Sequence, residues 1–80
     1  MSENHAKYLE AFKKVFNLAP STDPMKLEYQ AIPEWDSVGH LELITQLEEE
    51  FSIRLEVDDV IDFSSAEVGR SILKRYGIEL

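Results

Sequence analysis

The chain has no cysteine, so neither a disulfide framework nor a thiolate metal site can reinforce its fold. Its two histidines, His5 and His40, stand far apart and make a poor metal site. No apolar run approaches the roughly 20 residues that span a bilayer. The opening Met-Ser-Glu-Asn-His lacks the basic and apolar regions of a secretory signal, so a cytoplasmic protein that does not engage a membrane is expected. Bases are also scarce, 8 against 16 acids, for a formal charge of −8. That balance opposes nucleic acid and anionic lipid as partners, because their phosphates would be repelled rather than neutralised.

What is present is 80 residues, room for one domain (1–80) with a modest core and marginal stability. The charge is unevenly placed: residues 1–33 are neutral, residues 34–67 hold eleven acids against Arg54 alone, and residues 68–80 carry a net charge of +2. An acidic block of this kind is either a solvated face or an address read by basic partners.

Between Asn4 and Asn17, Tyr8, Leu9, Phe12, Val15 and Phe16 share one side of a helical wheel, which predicts a first helix. The three prolines, Pro20, Pro24 and Pro33, all fall between Leu18 and Trp35, and no helical period survives them. That stretch reads as a long loop with room for a short helical turn, and Leu27, Tyr29, Ile32 and Trp35 are expected to pin it to the helices. Asp36 is a good N-cap for a second helix over Ser37 to Phe51. Its buried stripe is either Leu43, Ile44, Leu47 and Phe51 or Leu41, Ile44, Leu47 and Phe51. The first is preferred, because the second would turn Glu48 inward as an unpaired carboxylate.

Ser52 to Val57 is a connector anchored by Ile53 and Leu55, and Asp58 to Phe63 can form a short third helix. A capping-box pattern, Ser64-Ser65-Ala66-Glu67, introduces a last helix with Val68, Ile72 and Tyr76 as its stripe, Leu73 nearby and Gly77 as its stop. Gly69 either permits close helix approach or weakens that helix. The expected fold is all-α: a small four-helix bundle of three main helices and one short one, with a long loop between the first and second.

Asp36-Ser37-Val38-Gly39-His40-Leu41-Glu42-Leu43-Ile44 leads into Leu47-Glu48-Glu49-Glu50-Phe51, then an acidic short helix and a Ser-capped final helix. In this motif and element order the chain resembles the acyl carrier protein family, whose modified serine lies in an Asp-Ser-Leu motif at the start of the second of four helices. A serine in a first helical turn is a physically sound place for a phosphodiester, beside free backbone N–H groups and the positive end of the helix dipole.

The resemblance implies a non-enzyme. A phosphopantetheinyl transferase would move 4′-phosphopantetheine from coenzyme A to Ser37, flanked by Asp36 and Val38, and the terminal thiol would carry acyl groups. Partner enzymes (an acyl ligase, synthase or acyltransferase) would present basic patches to a face made of Val38, Leu41, Glu42, Thr45, Glu48 and Glu49. Weak, salt-sensitive docking by a monomeric shuttle follows from such a surface. Family members also shelter acyl chains, for which Phe12, Phe16, Leu43, Leu47, Phe63 and Ile72 are candidate walls, although any core needs such residues.

Where fatty-acid carriers have leucine and then an acid after Asp-Ser, this chain has Val38 and Gly39. The change removes a charge and adds backbone freedom beside the arm, so a specialised pathway is as plausible as the housekeeping one. Close alternatives are an aminoacyl carrier, for example of D-alanine, or a peptidyl carrier. An unmodified acidic adaptor is a different class. So is a hydrolase using Ser37 with His40 as base, which the lack of a nucleophile-elbow pattern, orienting acid and oxyanion hole argues against. Asp58, Asp59 and Asp62 lack the calcium-loop pattern of glycine and terminal glutamate.

Overall fold

The computed structural model describes residues 3–80, which form four α-helices: α1 (Glu3–Phe16), α2 (Ser37–Phe51), α3 (Val57–Asp62) and α4 (Ala66–Arg75). This is the small all-α bundle expected, with a 3-10 turn at Pro24–Lys26 inside the long α1–α2 loop. Among the described residues no helix is long and apolar enough to cross a membrane.

Helix α1 buries Tyr8, Ala11, Phe12 and Phe16, while Leu9 and Val15 sit half-buried at the margins of that face. It stops one residue before the expected end, because Asn17 turns left-handed (φ 52°) and the Leu18 N–H reaches back to the Lys13 carbonyl at 3.1 Å. Asparagine tolerates that conformation better than most residues.

The aromatic side chains then assemble around Phe12. Its ring centroid lies 5.0 Å from Tyr8, 5.5 Å from Trp35, 6.1 Å from Phe16 and 6.4 Å from Phe63, mostly edge to face. The Tyr8 hydroxyl, buried in this cluster, donates to the Ala66 carbonyl and so ties α1 to the start of α4. Burial pushes its pKa far up, Glu67 adds to the shift and Arg70 opposes it, so the phenol stays protonated and keeps donating.

The long loop is held by backbone pairing as well as by apolar anchors. Tyr29 N–H donates to the Ser64 carbonyl (2.8 Å) and Ala66 N–H to the Leu27 carbonyl (3.1 Å), forming one isolated antiparallel bridge between Glu28 and Ser65. Leu27 and Trp35 are buried and Ile32 half-buried, as anticipated. Tyr29 is 37% exposed, resting edge-on against Trp35 and His40.

This pairing moves the cap of α4. The N-cap is Ser65, whose Oγ accepts from Val68 N–H at 3.1 Å, and not Ser64 as the Ser-x-x-Glu spacing implied. The Ser64 carbonyl is committed to the loop, so the helix starts one residue later.

The stripe of α4 also differs from the expected one. Ala66, Gly69, Ile72 and Leu73 are buried, Tyr76 is half-buried, and Val68 is exposed. Gly69 explains the rotation. A Cβ there would stand 2.1 Å from Phe63 Cζ, so glycine lets the Phe63 ring lie on the helix backbone. Gly77 (φ 85°) ends α4 with paired bonds, Gly77 N–H to the Lys74 carbonyl and Ile78 N–H to the Leu73 carbonyl, each 3.1 Å.

Helix α3 contributes no fully buried side chain. It is clamped instead by polar contacts to the end of α4: Glu56 N–H donates to the Tyr76 hydroxyl (3.0 Å), that hydroxyl donates to Asp59, and Arg75 pairs with Asp59 at 2.7 Å. The Tyr76 hydrogen bond, helped by Arg75, holds the Asp59 carboxyl below its ordinary pKa, and the same bond raises that of the Tyr76 phenol.

Candidate functional site

Asp36 caps α2 as expected, its Oδ1 accepting from Gly39 N–H at 2.8 Å. That leaves Ser37 as the first helical residue, exposed, with a hydroxyl that makes no hydrogen bond within the described residues. The backbone N–H groups of Ser37 and Val38 likewise have no partner there, and the first turn holds no acid. An anionic group on the Ser37 oxygen would meet two open donors and the positive end of a 15-residue helix, with the adjacent Asp36 carboxylate, engaged by Gly39 N–H, as the opposing charge at the cap.

On the outer side of α2, Val38 (63% exposed) and Leu41 (60%) are apolar residues facing solvent, with Glu42, Thr45 and Glu49 also exposed. Leu43, Ile44 and Leu47 are buried and Phe51 half-buried, which is the preferred stripe, and the version with Leu41 inside is not the one formed.

Glu48 departs from the expected partner face. It is half-buried, and its Oε2 accepts from Leu55 N–H at 2.8 Å. Its carboxylate satisfies the α2–α3 connector, which descends past it, so the outward face loses one acid.

Gly39 is a second correction. It is buried, and a Cβ on it would stand 2.0 Å from the Glu34 carbonyl oxygen and 3.3 Å from Phe16 Cε1. Glycine here admits the incoming loop against α2, and adds nothing to the surface beside Ser37.

His40 has both ring nitrogens occupied. Trp35 Nε1–H donates to Nδ1 at 2.9 Å, and Nε2–H donates to the Val60 carbonyl at 2.8 Å. The ring's one lone pair, on Nδ1, is held by the Trp35 N–H and is not offered to Ser37, which removes the base that a hydrolase reading requires.

A groove of about 360 Å³ opens beside Ser37, lined by Tyr29, His40, Leu41, Val60, Ile61, Phe63 and Ser64 as well as Ser37 itself. Of the six candidate chain-sheltering walls only Phe63 borders it, and the other five are in the closed core. Sequence reasoning missed Tyr29, Val60, Ile61 and Ser64. Ile61 is 72% exposed and Val57 74%, one turn apart on α3. Two apolar residues at that spacing in a helix otherwise made of acids and Val60 were the available signal.

Asp59 is taken by Arg75 and Tyr76, and among the described residues no three histidine, cysteine or acidic side chains converge as a metal site.

The acids of α2 are poorly compensated. Among the described residues the ion pairs are Arg75–Asp59 and the exposed Lys7–Glu3, and the last turn of α2 carries Glu48, Glu49 and Glu50 with no base. Negative charge at a helix C-terminus is destabilising, and salt screens it. Raising NaCl from low ionic strength, or adding magnesium, is therefore expected to lift the melting temperature by roughly 5 °C, or about 1 kcal/mol. A flat melting curve against salt would contradict that charge accounting.

Comparisons with protein-family models, with curated proteins and with solved structures each return no match.

Proposed function

We propose that this protein is an acyl carrier, with Ser37 as the attachment point of a 4′-phosphopantetheine arm. The observation that carries the reading is the Ser37 hydroxyl: exposed, without a hydrogen bond among the described residues, at the first position of α2, in a turn whose cap is supplied by a different residue. The family-like motif from Asp36 to Ile44 supports it from the sequence side. The arm's thiol supplies the thioester chemistry that a chain without cysteine lacks. Every other task falls to the protein's surface.

Val38 and Leu41 offer apolar contact to a partner, and Glu42 and Glu49 offer charge that steers basic enzymes toward Ser37. Such a surface favours fast, weak association, which suits a shuttle serving a transferase first and then a ligase, synthase or acyltransferase. Because Gly39 faces inward, this surface lacks the acid that fatty-acid carriers have after the motif leucine, and a pathway other than bulk fatty-acid synthesis fits it equally well.

Intact-protein mass spectrometry after incubation with coenzyme A and a broad-specificity phosphopantetheinyl transferase tests the proposal. One added arm per chain is expected. A chain that gains none overturns it.

A further inference from the structure

Trp35, the one tryptophan in the chain, is fully buried and ends the long loop immediately before the α2 cap. An indole N–H can only donate, so its 2.9 Å bond to His40 Nδ1 requires a lone pair on that nitrogen, and the ring proton must lie on Nε2. That proton is the one given to the Val60 carbonyl at 2.8 Å, and Val60 lies in the last turn of α3, where carbonyls lack helical partners. The imidazole also stacks on Trp35 (6.2 Å, 16°) and meets the edges of Tyr29 (5.3 Å) and Phe63 (5.9 Å). One ring thus joins the loop, α2 and α3 around the groove that begins at Ser37.

We propose that His40 is a pH-sensitive positioning residue, whose neutral ring clamps the Trp35 loop to α3 and whose second proton releases the loop. The doubly protonated ring has no acceptor. It keeps its bond to Val60, which a positive charge at a helix C-terminus strengthens, but it sets an N–H against the Trp35 N–H. The buried indole then loses its only hydrogen bond, and the loop segment bearing Tyr29 and Trp35 moves away from the groove.

Tyr29 is the titratable group in contact with the ring. The charged side chains on the packed elements are Asp23, Lys26, Glu28 and Glu34 on the loop, Asp36, Glu42 and Glu48 to Glu50 around α2, and Asp58, Asp59 and Asp62 on α3. None of them bonds to the ring, and Asp36 and Asp59 are already engaged elsewhere. The second proton therefore acts through the lost acceptor at Nδ1. The inference rests on these contacts and is independent of whether Ser37 is modified.

Nuclear magnetic resonance on the full ¹⁵N-labelled chain tests it, with His5→Gln used to assign the two rings. At neutral pH the His40 ring is expected to carry its proton on Nε2. On acidification the Trp35 indole N–H resonance is expected to shift upfield with the same midpoint as the His40 ring nitrogens. His40→Gln keeps a donor for Val60 but cannot gain a proton, so its Trp35 resonance should stay constant over that range. A neutral ring protonated on Nδ1, a Trp35 signal that ignores the His40 titration, or an equal shift in His40→Gln would overturn the proposal. Should His40→Gln fail to fold, the two wild-type midpoints still decide: coincidence supports the clamp and separation refutes it.

Discussion

Ser37→Ala is expected to abolish the mass gain from coenzyme A and transferase completely, while changing stability by no more than about 0.5 kcal/mol. Both halves follow from the local structure. The hydroxyl is exposed and makes no hydrogen bond among the described residues, so its removal breaks no such bond and opens no cavity. The cap belongs to Asp36, whose bond to Gly39 N–H is untouched. Asp36→Ala is the informative contrast, because it keeps the hydroxyl but removes the cap, at an expected loss of about 1 kcal/mol. Intact mass and thermal melting on the same preparations separate the cases. An arm that still attaches to Ser37→Ala would point to another nucleophile, and a large loss of stability would make Ser37 a structural residue.

Gly39→Ala is expected to destabilise the fold by about 3 kcal/mol and to lower the melting temperature by more than 10 °C. Helix propensity argues the other way, since alanine inside a helix is favoured over glycine by about 1 kcal/mol. The sign of the result therefore decides which effect wins. Packing should prevail, because the obstacle 2.0 Å from the new Cβ is the Glu34 backbone carbonyl, which no side-chain rotation can clear. Moving that carbonyl displaces Trp35, the next residue, from the aromatic cluster and from His40. For a domain with only roughly 5–15 kcal/mol of total stability, the loss is substantial. Urea unfolding of the two chains measures it, and a variant as stable as wild type would show that the loop yields at this contact.

Several elements were legible in the sequence because they depend on near neighbours. The span of α2 follows from Asp36 as cap and an unbroken run to Phe51, and the Gly77 stop follows from the ease with which glycine adopts positive φ. The three prolines located the long loop for the same kind of local reason. The α2 stripe was read correctly by asking which alternative would bury a carboxylate. Glu48 nevertheless ended half-buried, since the connector supplied it with a backbone donor that periodicity cannot reveal.

The errors concern residues whose role depends on a segment distant in the chain. Ser65 replaced Ser64 as the α4 cap because the loop around Glu28 claims the Ser64 carbonyl. Val68 gave way to Gly69 in the α4 stripe because the Phe63 ring needs the space. Gly39 looked like surface freedom and proved to be the floor on which the loop rests.

The candidate site divides along the same line. The sequence by itself determined that a serine opens a capped, acid-rich helix in a chain without thiols, because capping and helical period act within a few residues. Only the tertiary structure decided that the groove beside that serine is lined by Tyr29, Val60 and Ile61, and that His40 is bonded to Trp35 and Val60 instead of serving Ser37. Those outcomes depend on how three segments meet in space, where steric contact and hydrogen-bond demand override what each segment prefers alone.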